Sequence, residues 1–353
     1  MKLLAKTTRN IEAVEIDPQG KIRARTDKWA IPRGSLGRLE ELAVLYASIR
    51  ATPEKEIKDK VVFTMAGDHG VVAEGVSAFP QKVTKQMVQN FLSGGAAINV
   101  LAKYVGARVA VVDCGVAGEL PSNSRLKAKK INHGTKNIAK GPAMSPEEAV
   151  TSIELGIETL EEELPHGIDL IAVGDMGIGN TTPSSAVLAA LSGVDIKEVT
   201  GQGTGIDGPA LAHKLKVVEM ALNVNQPDPG DPMDVLAKVG GYEIGAIAGV
   251  CLGAARHRLP VIIDGFISST GALLASHIEP RVKGYLMASH LSTERGHRLL
   301  LEKLGKRPIL DLEMRLGEGT GAVLAMTLVE ASVKLLTQMA TFSEAGVSEA
   351  LNQ

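Results

Sequence analysis

Five short apolar runs punctuate this chain, and each stops at a polar or glycine-rich group. They are VVFTMAGDHG (61–70), RVAVVDCGV (108–116), DLIAVGDMGIG (169–179), LPVIIDGFISST (259–270) and YLMASH (285–290). None alternates apolar with polar residues. A strand with one wet face must alternate, so these read as strands covered on both faces, as in a parallel sheet. Helical stretches lie between them. Residues 81–104 carry apolar positions at helical spacing around Val83, Met87, Phe91 and Ala96–Leu101. Ser145-Pro146-Glu147-Glu148 has the form of a helix start, with a serine cap, proline in the first turn and an acid three residues on. Asp207-Gly208-Pro209 opens another helix, expected to run to about Leu222. Strand and helix in alternation indicate a doubly wound α/β fold. In such folds the ligand lies beyond the carboxyl ends of the strands. Those ends carry Asp68, His69, Asp113, Asp175, Asp264 and Ser289-His290.

The flanks differ. Residues 1–55 contain a helical segment, SLGRLEELAVLYASI, and residues 323–341 form a strongly apolar helix. The expected division is a small helical domain from 1–55 with 325–353, and a large nucleotide-binding domain over 56–324. A net charge of -2 over 353 residues leaves no electrostatic footprint for nucleic acid or a membrane surface. Aromatics at 3% are too few for base-stacking platforms. Cys114 and Cys251 are the only cysteines, so a disulfide framework or thiolate zinc site is not expected, which suits a reducing cytoplasm. The N-terminal MKLLAKTTRNIEAVEID is interrupted by charges and lacks the apolar centre of a signal peptide.

Chemistry concentrates in a few segments. In IAVGDMGIGNTTPSSA (171–186) an apolar run ends at Asp175, then Gly177, Gly179, Asn180, Thr181 and Thr182 lead to Pro183. A strand end, glycines and a helix start together aim backbone N–H groups at one point, which suits a phosphate. The plainer alternative is a tight turn without a ligand. In RLGEGTGA (315–322), Glu318 stands between glycines that leave its carboxylate unshielded by neighbouring side chains. It reads as a general base in a partly apolar pocket, or as an exposed acid near a helix N-terminus. GTGIDG (203–208) matches G-x-G-x-x-G, but no buried strand precedes it, so it is no dinucleotide fingerprint. Lys214 or Lys216, in the helix after it, could supply a point charge to a phosphate. In MAGDHGVVAEGVSAFPQKVT (65–84), Asp68-His69 alone is thin support for a metal, and Phe79 with Met87 could wall a pocket for a flat ring.

GSLGRLE (34–40), AGDHGV (66–71), EGVSAFPQKVT (74–84), GDMGIGNTT (174–182) and RLGEGTGA (315–322) occur in this order. By these motifs the chain, over roughly 30–345, resembles the nicotinate-nucleotide–dimethylbenzimidazole phosphoribosyltransferases, which make the lower-ligand nucleotide of cobalamin. The resemblance implies a homodimer, each subunit having a Rossmann-like large domain and a small helical domain. It implies transfer of phosphoribose from nicotinate mononucleotide to 5,6-dimethylbenzimidazole, without metal or cofactor. Glu318 is then the catalytic base and Asp175 lies near the reacting centre. Gly177, Gly179, Asn180 and Thr181 hold the nucleotide, with Lys214 and Ser292 near its phosphate. Ser77, Phe79, Gln86, Met87, Gln89, Met176 and Leu316 belong to the benzimidazole pocket. Two positions depart from the family pattern: Asp175 stands where glutamate is usual, and Phe79 where tyrosine is common. Two other functions compete on the residues alone, a nicotinamide-dependent dehydrogenase and a non-catalytic nucleotide sensor.

Overall fold

The computed structural model describes residues 2–52 and 55–349. Its centre is one six-stranded sheet: β1 (Lys60–Gly67), β2 (Ala107–Gly115), β3 (Leu126–Ala128), β4 (Leu170–Met176), β5 (Val261–Ile263) and β6 (Leu286–Ala288). The order is β3-β2-β1-β4-β5-β6, and every neighbouring pair is parallel. All eight residues of β1 are buried, as the unbroken apolar run demands. This order winds outward in both directions from the β1–β4 pair, so a crevice opens beyond their carboxyl ends. Met65 on β1 stands opposite Asp175 on β4. The fold is therefore the Rossmann-like doubly wound α/β arrangement expected.

Local details follow the capping chemistry. The helix Pro146–Glu163 starts where expected: the Ser145 hydroxyl accepts from Glu148 N at 3.2 Å, and Glu148 Oε2 accepts from Ser145 N at 2.8 Å. Asp207 caps the helix Gly208–Asn225, which runs past Leu222. Residues 81–104 form two helices, Lys82–Ser93 and Ala97–Val105, because Gly94 takes φ 82° and ends the first. The run 259–270 is strand only over β5, and FISST opens the helix Phe266–Ile278. β3 was not anticipated; its three residues carry too little apolar pattern to register.

The helix Thr320–Gln338 is long and apolar enough to cross a membrane by length and composition. Here it buries Ala325, Met326, Val329 and Val333 in the main core, beside β4. Its far end joins a smaller apolar cluster, in which Leu336 meets Ile22, Trp29, Ala43 and Ala47. That cluster is built from the N-terminal segment, including the helix Arg38–Arg50.

Candidate active site

Two carboxylates meet beyond the switch point. Asp175 is brought there by β4. Glu318 arrives from a distant turn that hydrogen-bonds onto the sheet: its N–H donates to the Asp175 carbonyl, and its own carbonyl accepts from Thr64 Oγ1 on β1, both at 3.1 Å. The turn is tight. Gly317, Glu318 and Gly319 all take positive φ, at 85°, 65° and 97°. For a non-glycine residue this backbone costs about 1 kcal/mol, so surrounding bonds must hold it. Gly174 makes the approach possible, since a Cβ there would lie 2.3 Å from Glu318 C. Asp264, one residue after β5, fixes the other side by accepting from Gly319 N at 3.2 Å and Ala322 N at 2.9 Å.

The glutamate is not the unshielded side chain suggested by its glycine neighbours: Glu318 is only 4% exposed. Its Oε2 accepts from Ile98 N, at 3.2 Å, in the first turn of the helix Ala97–Val105. Burial raises the Glu318 carboxyl above its ordinary range against that N–H, and the charge of Asp264 adds to the rise. Asp175 is pushed up to about 7 by burial and by Asp264, against a 2.8 Å hydrogen bond from Asn180 Nδ2. Both acids thus hold a proton more readily than a carboxyl in water. Such groups can exchange protons near neutral pH.

Both line a cavity of about 410 Å³. One wall is apolar, with Val76, Phe79, Val83, Met87, Met176, Ile178 and Leu316. Phe79 and Leu316 are half exposed at its mouth. Ser77 also lines it, with its hydroxyl 3.2 Å from that of Thr204. Gln86 and Gln89 are not brought in; they lie on the exposed face of the helix Lys82–Ser93 and outside the lining.

The opposite wall holds Gly177, Gly179, Asn180, Thr181 and Ser292. Thr181 opens the helix Thr181–Ser192, so that helix starts two residues before Pro183. Gly177 also has a structural reason to be glycine, because a Cβ would stand 2.3 Å from the Gly67 carbonyl. Lys214 is fully buried behind this wall, whereas Lys216 is exposed. Lys214 Nζ donates to Thr181 Oγ1 at 2.6 Å and to the Gly201 carbonyl at 3.1 Å. Burial brings its ammonium down to about 8, opposed by Glu294. The Glu294 carboxylate accepts from Gly203 N at 3.1–3.2 Å, and Arg315 donates to the Gly203 carbonyl at 2.9 Å. The GTGIDG segment therefore bridges the Lys214 side of the cavity and the Glu318 turn.

Behind β1, His69 Nε2 lies 2.9 Å from Glu243 Oε1, both buried. Burial lowers the imidazole, but the charge of Glu243 beside it outweighs burial and holds it above its usual range. Asp68 turns away to accept from Ala117 N at 2.8 Å. Among the described residues, no group of three or more His, Cys, Asp or Glu side chains is arranged to hold a metal ion. Sequence reasoning missed Glu243, Glu294 and Arg315. Glu243 follows Gly240-Gly241 at a helix start, and that glycine pair was the available signal.

A family model described as phosphoribosyltransferase matches residues 11–347. A nicotinate-nucleotide–dimethylbenzimidazole phosphoribosyltransferase of Geotalea uraniireducens is 56% identical, with 99% of each chain covered. One of the same name from Geobacter sulfurreducens is 55% identical, again over 99% of both. The crystal structure of that enzyme from Thermus thermophilus superposes with a TM-score of 0.90 at 47% identity, covering 95% of this chain and 100% of the other. Fold and relatives converge: the chain belongs to this phosphoribosyltransferase family.

Proposed function

We infer that this chain transfers phosphoribose from nicotinate mononucleotide to 5,6-dimethylbenzimidazole, or a related base. The products are α-ribazole 5′-phosphate and nicotinate, and the reaction serves assembly of the cobalamin nucleotide loop. The observation that carries this is the meeting of Asp175 and Glu318 between an apolar wall and a glycine-rich turn backed by Lys214. The apolar wall suits a flat methylated ring. The glycine turn and buried ammonium suit a phosphate. The sugar then spans the two acids.

The chemistry needs little else. The leaving pyridinium takes the electrons of its bond to C1′ and departs as a neutral ring, so no acid is required. The benzimidazole lone pair attacks C1′ from the opposite face, and its N–H becomes acidic as the bond forms. Glu318 is suited to take that proton, because its raised affinity matches a base working near neutral pH. Ionised Asp175 favours the positive charge that develops on the ribose. One displacement inverts C1′, so no covalent enzyme intermediate is needed. The remaining contribution is alignment of two rings across the sugar.

A dehydrogenase reading finds no support, because the segment before GTGIDG is the short helix Ile196–Val199, not a strand. We also propose a homodimer, supported by Val100 and Tyr104, which are exposed one turn apart on the helix Ala97–Val105. A cytoplasmic location suits the two unpaired, buried cysteines. The deciding experiment incubates the protein with nicotinate mononucleotide and a panel of bases and identifies products by mass. Release of nicotinate without a new nucleotide, or no release with any base, would refute transfer.

A further inference from the structure

His290 follows β6 and lines the cavity, yet the reaction outlined above leaves it without a role. Its ring is held on three sides. A Cβ on Gly321 would lie 2.0 Å from Nδ1, so the first turn of the helix Thr320–Gln338 packs directly on the imidazole. Nδ1 is 3.0 Å from Ser289 Oγ and 3.7 Å from Asp264 Oδ1. The Ser289 hydroxyl has one proton, and it donates that proton to the Asp264 carbonyl at 3.2 Å. Ser289 can then only accept from the imidazole, so Nδ1 carries the hydrogen. In that tautomer Nε2 presents a lone pair. No hydrogen bond reaches Nε2 among the described residues, and Gly265 leaves it open, with even a Cβ there 3.9 Å away. The site therefore contains an oriented, unused acceptor.

Its position identifies the donor. Through Asp264, which binds Gly319 N, His290 adjoins the Glu318 turn. Two residues on is Ser292, whose hydroxyl accepts from Glu294 N, and Glu294 leads to Gly203 and the Lys214 side. The part of a mononucleotide lying between its ring and its phosphate is the sugar. The hydrogen-bond donors of the sugar are its hydroxyls. A phosphate oxygen, which only accepts, would oppose the Nε2 lone pair.

Resting on the phosphoribosyl-transfer reading, we propose that His290 Nε2 accepts a hydrogen bond from a ribosyl hydroxyl of the donor nucleotide. His290 is thereby a specificity-determining residue for ribo- over deoxyribonucleotides. The contact strengthens as C1′ gains positive charge and the hydroxyls become more acidic.

The test compares nicotinate mononucleotide with its 2′-deoxy and 3′-deoxy forms, by calorimetric binding and by single-turnover nicotinate release. Wild type should prefer the ribosyl donor over one deoxy form by about tenfold or more, the value of one oriented hydrogen bond. In His290→Leu that preference should collapse to near unity. In His290→Gln, whose amide oxygen can still accept, it should persist. Ser289→Ala keeps the ring but frees its tautomer, and should weaken the preference, which provides a readout if the leucine variant does not fold. Unchanged discrimination in both His290→Leu and Ser289→Ala overturns the assignment, as does a wild type indifferent to both hydroxyls. Discrimination in binding without any turnover would refute transfer and leave the contact standing. Turnover without discrimination would do the reverse.

Discussion

Replacing Gly174 with alanine tests whether the Glu318 turn must sit where it does. The added Cβ would stand 2.3 Å from both Glu318 C and Gly319 N, where ordinary contact begins at 3.4 Å. These are backbone atoms, so no side chain can swing aside. The turn must retreat by about 1 Å, and misplacement of a catalytic group on that scale costs on the order of 10²-fold in rate. The retreat also stretches the two 3.1 Å bonds that seat Glu318, from its N–H to the Asp175 carbonyl and from Thr64 Oγ1 to its own carbonyl. Their loss costs about 1 kcal/mol each and lowers the melting temperature by several degrees. The assay is single-turnover nicotinate release with saturating acceptor, accompanied by a melting curve. The expected signature is a fall in kcat larger than any rise in KM for either substrate, because the glycine turn and the apolar wall other than Leu316 are not displaced. Gly141→Ala, where a Cβ meets nothing within 4 Å, serves as the control. A folded Gly174→Ala enzyme working within twofold of wild type would refute the placement of Glu318 as the base.

Three further outcomes are expected. Glu318→Gln should lose about 10²–10⁴ in rate while still binding both substrates, and the fall of wild-type activity at acid pH should disappear with it; a variant of near wild-type rate would leave Asp175 as the next candidate. Asp175→Asn should slow the reaction less and should change the pH dependence of stability. A carboxyl raised from 3.8 to about 7 favours folding when protonated, and that advantage is lost as pH rises through about 7, by at most about 4 kcal/mol; denaturant titrations at pH 5 and pH 8 should show a drop in wild type that shrinks in the variant, and equal drops would remove the buried-acid argument. Lys214, brought down to about 8, loses its charge as pH rises, so mononucleotide affinity should weaken above that value while affinity for the unphosphorylated nucleoside stays flat; parallel curves would place the phosphate elsewhere.

The sheet was legible because five strands are buried on both faces and therefore write unbroken apolar runs into the sequence. The Ser145 and Asp207 helix starts were equally plain, since capping is local chemistry. What escaped was whatever depends on distant partners. Glu318 looked unshielded because its neighbours in sequence are glycines, yet its cover comes from Ile98, Thr64 and Asp264, far away along the chain. The resemblance puts Gln86 and Gln89 with Met87 in the benzimidazole pocket, but the helix rotates them outward while Met87 turns toward the cavity. Gly177 presented as a phosphate position, and its backbone packing against Gly67 could not be read from spacing. The Glu243–His69 pair joins a helix start to the end of β1, a relation that no local pattern records.

The strand order has a consequence for the time at which the enzyme becomes competent. All six strands lie upstream of Glu318, and the helix Thr320–Gln338 that follows it comes later still. A chain growing from its N-terminus can complete the sheet, the glycine turn and much of the apolar wall before the base exists. Such an intermediate could hold a nucleotide but lack the group that takes the proton. Emergence of the final long helix then supplies the base and closes the small N-terminal cluster through Leu336 in one docking event. Catalytic competence thus reports that both ends of the chain have been brought together.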